Sequence, residues 1–307
     1  MPCDPDPSKP ISEDDEPDAE RTLSIISELR TLIEEARSGA GPSALVAFGE
    51  FGLDYDRLHY CSKKIQLHSF AAQLDLVLSL QPQLPLFLHS RAAHADFVGL
   101  LKEKFGARLE KLERGAVVHS FTGTAEEMRE LMDLGLYIGT NGCSFKTAEN
   151  CAVVKEIQLD RLMLETDGPW CEVRPSHEGW KHLIEPPKPV ETPAPASLDA
   201  NAYTNGVDGA GNGDGVSLDP PKQQRRKPKQ QQQQQFKKQQ KKEPDVPERF
   251  KTVKKEKWVE GAMVKGRNEP CMIERVGKIV AGIKGVSVEE VCEAAWRNTT
   301  KVFPIDD

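Results

Sequence analysis

The chain has 307 residues, 38% of them hydrophobic and 29% charged, which suits a soluble globular protein of one large or two ordinary domains. The net charge of −7 hides a division: residues 222–257 hold 14 Lys/Arg against 4 Asp/Glu, so an acidic total does not exclude a polyanionic partner. No apolar stretch nears the roughly 18 residues of a membrane span, the acidic, Pro-rich start is unlike a secretory signal, and seven scattered Cys without a CxxC pair read mostly as small core fillers in a reducing compartment.

Residues 1–18 are expected to form an acidic disordered lead. Ile25, Ile26, Leu29, Leu32 and Ile33 then recur at helical spacing, and GAGPS ends that helix. Five short apolar runs follow: ALVAFG ending at Glu50, LPLFL at His89, AVV at His119, LYIG near Asn141 and RLMLET at Asp167. The stretches between them have helical character, and Thr124 with Glu127 makes a capping box for one. Short buried strands alternating with helices predict parallel βα units, and the spacing of their ends, 22 to 39 residues, fits that repeat.

From about 185 the composition turns Pro-, then Gly-, then Gln/Lys-rich, which predicts a disordered insert over 185–250. Folded sequence is expected to resume over 251–307, with a helix in MIERVGKIVAGIKG. A second helix, capped by Ser287 and Glu290, would carry Val288, Val291, Cys292, Ala295 and Trp296 on one face. About 50 residues are too few for a sturdy core, so this block is assigned to the same domain as 19–184.

The chemistry is concentrated at the ends of the apolar runs. In parallel α/β proteins the C-terminal strand ends converge, so Glu50, His89, His119 and Asp167 are expected to meet. Two imidazoles and two carboxylates suit Zn²⁺, Mn²⁺ or Mg²⁺, as one or two ions. Such an ion activates water and neutralises phosphoryl charge. Arg91 and Ser90, with Lys146, are candidates for phosphate contacts. Asp54 is read as orienting a ligand or a water, Asn141 as supporting the site, and Asn268 with Glu269 as bracing a loop.

The segments GEFGLDYDR, FLHSR, VVHSFTG, IGTNGCSFK, LMLETDGPWC and KGRNEP closely resemble the TatD family of metal-dependent deoxyribonucleases, especially its eukaryotic branch. The resemblance covers about 44–182 and 257–304. It implies a TIM-barrel-like metallohydrolase that cleaves DNA phosphodiesters, with 3′-exonuclease character. Glu50, His89, His119 and Asp167 are then the metal ligands, and Asp167 also takes the proton of the attacking water. The family's first strand, with its HxH pair, has no counterpart here. The fold expected is therefore α/β, an N-terminally truncated barrel of five βα units out of eight with a long insert.

DNA is the expected partner, with no membrane, and the nucleus or cytoplasm the expected location. The basic part of the insert resembles a nuclear localisation or polyanion-binding tail. Two other readings stand beside this one. A metal-dependent hydrolase could act on a small phosphoester or amide, and a non-catalytic barrel could bind nucleic acid or a partner through the insert.

Overall fold

A computed structural model of the protein describes residues 15–38, 45–184, 246, 249–303 and 305. The greater part of the expected lead and insert lies outside these residues. The described residues of 15–184 and 249–305 belong to one compact unit; a second, Glu185–Pro247, holds only Val246 of the described set.

Helix α1 (Ala19–Ser38) opens at Asp18, whose carboxylate accepts from Arg21 N at 2.9 Å. Of its apolar stripe Ile33 is buried, whereas Leu32 is exposed. The expected βα repeat then appears: β1 (Phe48–Asp54), α2 (Lys63–Ser79), β2 (Leu86–Arg91), α3 (His94–Phe105), β3 (Ala116–Val118), α4 (Ala125–Asp133), β4 (Tyr137–Thr140), α5 (Ala148–Glu156) and β5 (Leu162–Leu164). Both halves of the Thr124–Glu127 capping box are made.

The five strands are parallel and lie in sequence order, β1-β2-β3-β4-β5. A doubly wound sheet reverses its order at a switch point; an unbroken order is the pattern of a barrel wall. The fold is thus α/β with a five-stranded partial barrel: the alternation of runs predicts its βα units, and the family resemblance implies the barrel.

Two strand boundaries differ from the expectation. Glu50 and His89 lie inside β1 and β2 rather than beyond them, because the two strands go on pairing through Gly52–His89, Leu53–Ser90 and Asp54–Arg91. Backbone pairing here outlasts the apolar run. Gly52 is required by that pairing: a Cβ there would fall 1.9 Å from the carbonyl oxygen of His89. Gly52→Ala is expected to cost about 1–3 kcal/mol in urea unfolding and to weaken metal binding by shifting His89.

Alternation along each strand divides the core. Leu86 and Leu88 are fully buried under the helices, together with Phe70 and Phe97, whose rings stack at 5.5 Å. Phe87 and His89 occupy the other face of β2, as do Val117 with His119, Gly139 with Asn141, and Met163 with Glu165 at their own positions. This inner face borders a cavity of about 470 Å³, closed in part by Phe303.

After the insert come the short pair β6 (Thr252–Val253) and β7 (Met263–Val264), then α6 (Ile273–Lys284), ended by the left-handed Gly285, and α7 (Val288–Val302). Ser287 caps α7 through Glu290 N. The buried face of α7 is Val291, Ala294, Ala295, Asn298 and Val302; Val291 and Ala295 are buried as expected, but Trp296 and Cys292 of the expected stripe are exposed. Asn298 decides this by donating to the carbonyls of Leu159 and Leu162 at 2.8 and 2.7 Å, which turns its side of the helix toward β5. Cys61 also departs from the core-filler reading, being disulfide-bonded. Among the described residues no helix is long and apolar enough to cross a membrane.

Candidate metal centre

Three strands deliver three donor atoms to one point. His119 Nε2 lies 2.7 Å from Glu50 Oε1 and 2.9 Å from His89 Nδ1, and His89 Nδ1 lies 3.1 Å from Glu50 Oε1. Among the described residues these three form the group able to hold a metal ion.

A carboxylate stands behind each imidazole. His89 Nε2 is buried without a hydrogen bond, 3.4 Å from Asp54 Oδ2. His119 Nδ1 is 3.6 Å from Glu165 Oε2. Histidine ligands are held this way when the distal nitrogen keeps its proton for a carboxylate and the proximal one turns its lone pair to the ion.

The donor set fits a divalent cation on its own chemistry. Two imidazole nitrogens and a carboxylate oxygen crowd one point, and a single proton can bridge only one edge of that triangle. Edges of 2.7–3.1 Å match the separation of about 3.0 Å between neighbouring ligands that bind an ion at about 2.1 Å at right angles.

The electrostatics fit too. Glu50 is held well below the usual carboxylate range by hydrogen bonds from His119 and then His89, against its own desolvation. Burial pulls His119 down, but the flanking carboxylates of Glu165 and Glu50 outweigh it and push the imidazole up to about 9. In the metal-free protein the proton on His119 Nε2 thus faces Glu50, on the side where the three donor atoms meet.

The other expected residues are distributed as follows. Asp167 follows β5 with a left-handed φ of 52°, a conformation Asp tolerates better than most residues. It is not a member of the three-residue cluster; its Oδ2 accepts from the Cys171 thiol at 3.1 Å. Asn141 is fully buried, donating to Glu165 Oε1 at 3.0 Å and accepting from Cys143 N at 2.9 Å. Asn268 clamps the loop around Asp167, its amide donating to Thr166 O at 2.7 Å and its N–H to Pro169 O at 3.0 Å. Glu269 N donates to Asn268 Oδ1 at 3.1 Å.

Arg91 has a buried Nε without a partner, and its Nη2 reaches Ser120 O at 3.5 Å. Ser90 faces Leu53 across the β1–β2 pair, and Lys146 closes the turn Gly142–Phe145. His94 pairs with Glu130 at 2.9 Å and has a structural role.

Glu165 was missing from the expected set. It accepts from Ser120 N at 2.5 Å and from Asn141, and stands behind His119. The period-2 rule held the signal, since Glu165 lies two residues beyond Met163 on the inner face. A second unexpected feature is a thiol pair. Cys143 Sγ and Cys171 Sγ are 3.0 Å apart. The Cys171 contact, then Lys146 and Arg91, draw Cys143 down to about 6, while the same contact and burial push Cys171 up.

Residues 18–195, more than half of the chain, match the family model described as "TatD related DNase". "Deoxyribonuclease Tat-D" of Schizosaccharomyces pombe is 40% identical over 268 residues, covering 87% of this chain and 64% of that protein. "3'-5' ssDNA/RNA exonuclease TatD" of Cronobacter sakazakii is 45% identical over 137 residues, 44% of this chain and 49% of that one. The crystal structure of an uncharacterized amidohydrolase from Saccharomyces cerevisiae superposes with a TM-score of 0.63 at 32% identity, covering 91% of this chain and 70% of that one. The chain thus spans less than two thirds of the length of these curated relatives.

Proposed function

The chain belongs to the TatD-related DNase family, and from that footing we propose that it hydrolyses DNA phosphodiesters with a divalent metal held by Glu50, His89 and His119 and completed by Asp167. The observation that carries this reading is the triangle of donor atoms at 2.7–3.1 Å, each imidazole backed by a carboxylate.

A divalent ion, when bound, supplies a lowered water pKa and positive charge against the phosphoryl oxygens. The chain's own residues do the rest. Asp54 and Glu165 fix the imidazole orientations of His89 and His119. Asp167, held by Asn268 through Thr166 and Pro169, takes the proton of the attacking water. Arg91, whose buried Nε lacks an acceptor, contacts a backbone phosphate, with Ser90 and Lys146 beside it. The exonuclease name of the Cronobacter relative supports attack from a strand end. The basic segment 222–257, most of it outside the described residues, serves as a DNA contact and directs the protein to the nucleus, the cytoplasm being the other setting in this reading.

Incubation with single-stranded DNA tests the reading. Turnover is expected to fall to background with a chelator and to return with Mn²⁺ or Mg²⁺. Asp167→Asn is expected to lower kcat by about 10²–10⁴-fold. Turnover that survives both chelation and that substitution overturns the proposal, and preferential cleavage of a nucleotide or a cyclic amide would move the substrate class.

A further inference from the structure

We propose that Cys143 and Cys171 are a modification site, a dithiol that peroxide closes to a disulfide, releasing the Asp167 carboxylate from its thiol donor. Their Sγ atoms lie 3.0 Å apart although 28 residues separate them in sequence. A disulfide needs about 2.05 Å, so closure asks for roughly 1 Å of approach.

The backbone holds both thiols in place. Cys143 N donates to Asn141 Oδ1 at 2.9 Å, and Asn141 is itself tied to Glu165. On the other side a Cβ at Gly142 would fall 1.9 Å from the Cys171 carbonyl oxygen, so the two loops touch main chain to main chain. Glycine at 142 permits that approach. Both cysteines are only partly buried, open enough for a small oxidant.

The chemistry balances with hydrogen peroxide as oxidant. The Cys143 thiolate attacks one peroxide oxygen, the O–O bond breaks, and the hydroxide released takes up a proton to leave as water. Cys171 Sγ then attacks the sulfur of the Cys143 sulfenic acid. The S–O bond breaks and a second water leaves with the thiol proton. Two thiols lose two electrons and two protons, and one peroxide becomes two waters. Lys146 and Arg91 favour Cys143 as the first nucleophile, since both put positive charge near its sulfur.

The consequence falls on Asp167. Cys171 has a single S–H proton, which points to Asp167 Oδ2 at 3.1 Å or to Cys143 at 3.0 Å. The disulfide has none, so the carboxylate loses that donor and Cys171 is drawn toward Cys143. The link to turnover rests on the nuclease reading; the pairing of the two thiols does not.

The full chain is treated with hydrogen peroxide, alkylated and mapped by mass spectrometry. A Cys143–Cys171 cross-linked peptide, reversed by dithiothreitol, is the expected result. Full alkylation of both thiols, or sulfinic acid at Cys143 without a cross-link, overturns the proposal. Cys143→Ser removes the cross-link, and Cys171→Ser gives the same readout if the first variant fails to fold. With metal and single-stranded DNA, oxidation is expected to lower wild-type turnover by at least about tenfold, while Cys143→Ser is unaffected. Undiminished turnover in the cross-linked protein overturns the control of Asp167. A reduced chain without turnover counts against the nuclease reading and leaves the mass result standing.

Discussion

His119→Ala is expected to lower divalent-metal affinity by more than about 100-fold and to bring hydrolysis to background, a larger loss than the 10–100-fold typical for residues behind a ligand. His119 supplies one of three donor atoms and also separates the carboxylates of Glu50 and Glu165. Removing it leaves Glu50 with His89 as its remaining cluster partner at 3.1 Å. Glu165 keeps two donors, Ser120 N and Asn141, so the inner face retains its hydrogen bonding and the fold is expected to persist. Calorimetric titration with Mn²⁺ checks the affinity, and a thermal melt checks that the protein is folded. Metal binding close to wild type in a folded His119→Ala protein would remove His119 from the ligand set.

Metal affinity is also expected to rise steeply with pH. In the metal-free protein His119 is pushed up to about 9, whereas an unfolded histidine titrates near 6.5. Its contribution to stability is therefore fully present below about 6.5 and is lost as pH rises through about 9. A metal ion must displace that proton from Nε2. Affinity for Mg²⁺ should then climb by about tenfold per pH unit from 7 to about 9 and level off above, with about one proton released per ion on the rising part. Glu50, shifted in the opposite direction, stays ionised throughout and adds no slope. Titrations in two buffers of different ionisation enthalpy count the protons directly. A flat affinity from pH 7 to 9 would show that the triangle is not held by a proton.

Much of the architecture is readable from local pattern. The alternation of apolar runs with helical stretches foretold five βα units, and Thr124 with Glu127 foretold a cap that is made on both sides. Boundaries were less legible. An apolar run marks where a strand is buried, while the strand itself continues as long as its neighbour offers partners, which carries β1 to Asp54 and β2 to Arg91. On α7 the spacing alone favoured a face containing Trp296, but two carbonyls near β5, available only after folding, attract Asn298 and turn the helix.

The sequence by itself determined which chemistry is available: residue type and strand-end position marked Glu50, His89, His119 and Asp167 as a set expected to meet, and the first three do so. Tertiary structure decided which atoms meet. It put Glu165 behind His119, gave Asp167 a thiol donor and set two distant cysteines 3.0 Å apart. The physical reason lies in the range of each signal. Side-chain periodicity is a property of one strand and assigns a residue to a face. Distances of 3 Å between strands depend on register and on how loops lock together, as Asn268 locks the Asp167 loop and Gly142 admits the carbonyl of Cys171.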